Sequence, residues 1–331
     1  GLEALVHPKV LRRQLADLLL DEAVHARGVG LGVVGGPVGP GLQEADAPAD
    51  LQVARDHRLA DRIAGRELEP GAPFAVRQRE RAELIQLPLW PEAKRGTPNS
   101  FIRSALFSAI HSKDRTYIDG ATLYSQQGIT IKYTGQQLNQ EDLTLWENLV
   151  HLAKAHPLGN VCSFTAHGIL KLLGLNTGGD EHQRLHKGIT RLNACSVQIT
   201  HEGKTYFGAL IKSGIKDELT SHYTIELNRE LIRLYGETQW TAIDWQQRLE
   251  LRRKPLAQAL HAYYSSHRTP YPVKLATLQR LTGSRTARTF EFKRLCRAAL
   301  DELVRIAFLN GYSIEGDTVT VKRVATLPRN E

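Results

Sequence analysis

The chain has 331 residues, 41% of them apolar, and a net charge of +8. That length gives room for about two domains of ordinary size. No apolar run approaches the roughly 20 residues a membrane span requires, and no secretory cleavage pattern is present, so a soluble, cytoplasmic protein without a membrane partner is expected. Cys162, Cys195 and Cys296 are odd in number and far apart, which argues against a disulfide framework or a four-ligand zinc site. No cofactor or metal is expected.

Methionine is absent, so Gly1 is not expected to be a natural start. Residues 1–84 predict a low-complexity, mostly disordered tail, because Gly28 to Gly41 is rich in glycine and Glu44 to Gly71 has few large apolar residues to offset ordering entropy. A helix is expected only over Val10 to Ala26. Gly30-Leu31-Gly32-Val33-Val34-Gly35 matches a dinucleotide-binding glycine pattern by letter, but Gly36-Pro37 and Gly39-Pro40 forbid the helix that such a site needs. Residues 85–95 read as a short apolar-aromatic peptide and a linker. On chemistry alone, Gln86-Leu87-Pro88-Leu89-Trp90 is either an anchor tucked against the next domain or a linear motif offered to a partner's pocket.

A first domain is expected over 96–236. Thr122 to Tyr133 alternates and reads as strands; Asp142 is expected to cap a helix reaching about Ala155. Phe164 to Leu173, a turn through Asn176-Thr177-Gly178-Gly179, and a second helix to about Ala194 follow. Cys195 to Thr200 and Thr205 to Ile211 then predict a hairpin, and His222 to Leu227 a further strand. His182 and His186 are four apart on the second helix without the adjoining glutamate of a zincin pattern, and read as surface or capping histidines.

A second domain is expected over 237–331. Leu275, Leu278 and Leu281 mark a short helix, Thr282-Gly283-Ser284 a turn, and Ala287 to Ile306 a longer helix with Phe292, Leu295, Ala299, Leu303 and Ile306 inward. Two alternating runs joined by Glu315-Gly316-Asp317 close the module as a hairpin. Helix, turn, basic helix and hairpin make a winged helix, and aligning Gly174 on Gly283 superimposes the apolar positions of both halves. The fold class expected is therefore α+β, two tandem winged-helix domains behind a largely disordered N-terminal tail.

Charge separates the halves. Leu251 to Glu331 holds fifteen Lys and Arg against six Asp and Glu, a local excess of +9, as phosphate-backbone binding requires. Base reading is expected from Arg285, Thr286, Arg288 and Thr289 at the start of the second helix, with Lys293, Arg294 and Arg297 nearer phosphates. Lys322 and Arg323 on the wing, and Arg268 and Lys274 before the first helix, would hold the backbone. Arg184, Lys187 and Arg191 of the first domain, diluted by Asp180 and Glu181, would support or pair. Arg297 and Arg305 could instead pair with Glu291, Asp301 or Glu302. A nicking enzyme lacks its His-apolar-His triplet here, and no Gly-x-x-x-x-Gly-Lys phosphate loop occurs, so no enzymatic activity is expected. A winged-helix transcriptional repressor, autoregulatory or not, is the alternative function.

Residues from about Gln86 to Arg323 resemble the TrfA-type replication initiators of broad-host-range plasmids. The likeness is carried by Arg103-Ser104-Ala105-Leu106-Phe107, by Ile131-Lys132-Tyr133-Thr134-Gly135, and above all by Tyr264-Ser265-Ser266-His267-Arg268 running into Pro270-Tyr271-Pro272-Val273-Lys274-Leu275. The resemblance implies an initiator that binds origin repeats (iterons) in double-stranded DNA. It implies help in opening an A·T-rich element, with contact to its single strands, and a monomer–dimer equilibrium. The partners it implies are the host sliding clamp, helicase and host initiator. Gln86, Leu87, Leu89 and Trp90 match the family's clamp-docking peptide, with tryptophan for the usual phenylalanine. Residues 1–80 show no likeness, so contacts of the family's N-terminal region are not carried over.

Overall fold

A computed structural model describes residues 87–156, 159–201, 203–236 and 239–324. The tail, its glycine pattern and Gln86 lie outside these residues. The chain folds into β1 (Lys94–Pro98), α1 (Asn99–Ile102), β2 (Tyr117–Leu123), β3 (Ile129–Gln136), α2 (Gln140–Ala153), β4 (Val161–Thr165), α3 (Ala166–Leu172) and α4 (Gly179–Ala194). It continues through β5 (Ser196–His201), β6 (Lys204–Gly208), β7 (Ile211–Asp217), β8 (His222–Leu227), α5 (Arg229–Ile232), β9 (Trp240–Asp244), α6 (Trp245–Glu250) and α7 (Pro255–Ser265). The last elements are β10 (Val273–Lys274), α8 (Leu275–Leu281), α9 (Thr289–Arg305), β11 (Leu309–Glu315) and β12 (Thr318–Arg323). The fold is a mixed α and β one.

Two hydrophobic cores organise these elements. The first is built around α2, which is buried on almost every side. Its cap is Asn139, not Asp142: the Asn139 side chain accepts from the backbone N–H groups of Glu141 and Asp142, and Asp142 reaches back to the Asn139 N–H at 3.0 Å. Asp142 is thus the third helical residue of a capping box. The first core extends past residue 237, because β9 pairs antiparallel with β1 and places Ile243 and Trp245 in it. The second core gathers Leu260 and Tyr264 of α7, Leu275, Leu278 and Leu281 of α8, Phe292, Cys296, Leu300 and Leu303 of α9, and Val319 and Val321 of β12.

The hairpin expected after α4 is present as β5–β6, but it has another job. Val197 and Ile199 of β5 are buried beside Ile131 and Tyr133 of β3, and the strands join a four-stranded sheet ordered β2-β3-β5-β6. The hairpin that closes the α3–α4 unit is β7–β8, in a sheet ordered β4-β8-β7. This repeats the second module, where the sheet is ordered β10-β12-β11. In each module a strand enters two helices, and the strand that leaves last returns to pair with it. Gly174 and Gly283 end α3 and α8 at φ +62° and +59°, the left-handed conformation that glycine adopts without a side-chain penalty. The β5–β6 pair is an insertion between α4 and the first module's own hairpin.

Candidate nucleic-acid interface

Helix α9 is amphipathic by arrangement rather than by overall apolarity. Phe292, Cys296, Ala299, Leu300 and Leu303 face the core, whereas Arg288 at the N-cap, Thr289, Phe290, Arg294 and Arg297 are exposed. Leu295, expected inward, is half out. It lines a cleft of about 700 Å3 between the modules together with Ile110, His111, Leu256 and Arg285, and Cys296 takes its place in the core. Among the described residues Arg288, Arg294 and Arg297 have no ion-pair partner. Arg305 does: its Nε lies 2.6 Å from Glu302, which also meets Lys254 at 2.5 Å.

The adjoining hairpin is fastened to this helix at two points. Lys293 Nζ donates to the Gly316 carbonyl at 2.8 Å, joining the helix to the hairpin turn. The Tyr312 hydroxyl donates to Asp301 Oδ1 at 2.6 Å. Burial, then this hydrogen bond, pushes the Tyr312 phenol up to about 12, so it stays a donor at neutral pH. Lys322 is exposed on β12, and Arg268 and Lys274 are exposed before α8. These cations and the outward arginines of α9 all belong to the second module.

Three arginines expected on DNA surfaces are held by the protein, as is Thr286, while a fourth, Arg184, makes a surface ion pair with its side chain 71% exposed. Arg285 donates to the Asp114 carbonyl at 2.6 Å, to Gln137 Oε1 at 2.5 Å and to Thr116 Oγ1; its guanidinium clasps the α8–α9 turn to the first core. Thr286 sits in that turn, its carbonyl accepting from Gln279 and its hydroxyl 3.1 Å from Ser284. Arg323 lies 5.0 Å from the Phe308 ring and donates to the His267 carbonyl, and burial lowers its pKa. In the first module Arg191 makes two bonds, at 2.7 and 3.0 Å, to the buried Asp142, and Arg184 pairs with Glu181 at 2.7 Å. Lys187 remains exposed on α4. His186 is occupied with Tyr223, 3.2 Å from its hydroxyl.

Phe290, exposed at the start of α9, was not singled out by sequence reasoning. The available signal was its position, two residues before Phe292 and therefore off the inward stripe.

The peptide at the start of the described chain is folded in. Leu87 is 2% and Trp90 4% exposed, whereas Leu89 is 81% exposed. Trp90 Nε1 donates to His151 Nδ1 at 3.0 Å, its ring stacks on Tyr235, and Lys154 Nζ donates to its carbonyl. Of the two readings open in the sequence, the anchor is the one adopted in this conformation. The free-motif reading did not anticipate a tryptophan that fills a pocket in its own domain.

Among the described residues, no helix is long and apolar enough to cross a membrane. The model of the TrfA protein family matches residues 76–323. A plasmid replication initiator protein TrfA from Escherichia coli is 27% identical over 248 residues, covering 72% of this chain and 64% of that protein; the chain thus spans less than two thirds of this relative's length. Among solved structures, domains 2 and 3 of RctB are similar at a TM-score of 0.44 and 15% identity, covering 68% of this chain and 96% of that one. The Pi initiator protein in complex with iteron DNA is similar at 0.41 and 14%, covering 60% and 99%. The family match takes in both cores, α9 and its hairpin: the chain belongs to the TrfA family.

Proposed function

We propose that this chain is a plasmid replication initiator that binds iteron DNA through two winged-helix modules. The observation that carries the reading is the unpaired, outward cationic face of α9 beside an exposed hairpin, in a chain of the TrfA family. The second helix of such a module enters the major groove, and the hairpin rides on the flanking backbone. Of the base-reading candidates, Arg288 and Thr289 are exposed and unpaired among the described residues; Arg294, Arg297, Lys322, Arg268 and Lys274 are the candidates for phosphates. In the first module Lys187 of α4, exposed and without an ion-pair partner among the described residues, is the candidate for a supporting contact.

The test compares two single variants. Arg288→Ala is expected to cost about 1–3 kcal/mol on the cognate duplex and little on random duplex. Lys322→Ala is expected to weaken both alike and to flatten the salt dependence by about one phosphate contact. Equal losses on both duplexes for Arg288→Ala would remove it from the base-reading set.

The same proposal includes opening of an A·T-rich element and docking on the host sliding clamp through residues 86–90. Clamp docking requires Leu87 and Trp90 to leave the first core. Burial of a tryptophan and a leucine is worth several kcal/mol, so the intact chain is expected to bind the clamp at least about tenfold more weakly than a free peptide spanning residues 84–92, read by fluorescence anisotropy. A peptide that does not bind at all ends the clamp reading; a chain that binds as tightly as the peptide shows that the burial does not oppose docking.

A further inference from the structure

We propose that Phe290 is a specificity-determining residue that reads one thymine by packing on its C5-methyl group. The inference rests on the DNA-binding reading of α9 and deepens it. Phe290 occupies the first turn of the helix and is 65% exposed, although it is large and apolar. It belongs to neither core. Residues 290, 294 and 297 stand on one line of the helix surface, at four- and three-residue spacing. The ring is therefore aligned with Arg294 and Arg297, on the face that carries the candidate DNA contacts, and the Arg288 guanidinium lies 6.0 Å from its centroid.

An exposed aromatic ring with a guanidinium beside it, on a helix line shared with two arginines, is poorly placed for a core and well placed for a groove. Arg288 and Arg294 supply the attraction to phosphates and guanine edges, and such contacts cannot tell a thymine from a cytosine by its methyl. In the major groove the apolar group that a base pair presents is the thymine methyl. An apolar ring that enters with the helix is complementary to that group, and desolvates against any pair that lacks it.

The probe is a duplex selected by the full chain from a random-sequence library, in which each thymine is replaced singly by deoxyuridine. The replacement removes one methyl and leaves base pairing intact. The wild-type chain is expected to lose about four-fold in affinity at one thymine, the worth of a single buried methyl. Phe290→Ala is expected to lose at least as much on the unmodified duplex and to be indifferent to deoxyuridine at that position, a coupling that a double-variant cycle isolates. Phe290→Leu should keep part of the sensitivity.

Two outcomes overturn the inference. One is a wild-type chain that discriminates its selected duplex from random DNA and tolerates every deoxyuridine. The other is a Phe290→Ala chain with undiminished sensitivity, or one that loses self-association and nothing else, which would assign the ring to a protein contact. A wild-type chain that yields no selected duplex refutes the DNA-binding reading itself, so the two failures are distinguishable.

Discussion

Replacing Arg248 with alanine is expected to destabilise the chain by about 3–5 kcal/mol, because it leaves a buried carboxylate without its counter-charge. Arg248 of α6 and Glu147 of α2 are both 0% exposed, and their charged atoms lie 2.7 Å apart. Thr97 donates to the other Glu147 oxygen at 2.7 Å, and Arg248 also reaches Thr144 Oγ1 and the Gln140 carbonyl, each at 3.1 Å. Burial pushes the Glu147 carboxyl up, and Arg248 is the foremost group drawing it back. Removing both charges together, as Arg248→Met with Glu147→Leu, is expected to recover most of the loss, since an apolar pair of similar volume carries no desolvation cost. Urea midpoints of the two single variants and the double variant check this; an Arg248→Ala chain that unfolds at the wild-type midpoint would mean the pair contributes nothing net.

Gly283→Ala is expected to be nearly as damaging, and its twin Gly174→Ala much less so. Both glycines have left-handed φ values, which cost an alanine about 1–2 kcal/mol. They differ in what a methyl group would meet. At Gly174 it would press on the end of the Arg252 side chain, which can swing away; at Gly283 it would overlap Ser108, whose own Cβ would stand only 2.9 Å away. The collision lies where the α8–α9 turn is seated on the first core, next to the hydrogen bond from the Ala109 N–H to the Thr282 carbonyl at 2.6 Å. Gly283→Ala should therefore lower both the unfolding midpoint and DNA affinity, with partial rescue by Ser108→Gly. Equal effects of the two alanines on stability would show that the seat yields easily.

These residues also show what a sequence can reveal. The α9 stripe was legible because seventeen helical residues repeat the same spacing, although it slipped by one position where Leu295 turned to the inter-module cleft and Cys296 went inward. The duplicated plan was legible through Gly174 and Gly283. Which hairpin closes the first module was not, since β7 reads Ile-Lys-Ser-Gly-Ile-Lys-Asp, a weak alternation, and β5 alternates cleanly only because it serves another sheet. The fates of Arg285, Arg191 and Arg323 were hidden for a different reason. Their partners at Asp114, Asp142 and His267 are far away in sequence, and charge counting registers a guanidinium without registering what it holds.

The seat of the α8–α9 turn has one more consequence. Arg285 on Asp114 and Gln137, Arg280 stacked 4.3 Å from the Tyr124 ring, and Arg103 on Ser266 pin the second module to the first at three points. On the proposed reading, in which α4 and α9 both meet DNA, this seat carries the two helices together. The DNA must then offer its two faces at one separation and one rotational phase, and inserting about half a helical turn of base pairs between them is expected to turn one face away from the protein.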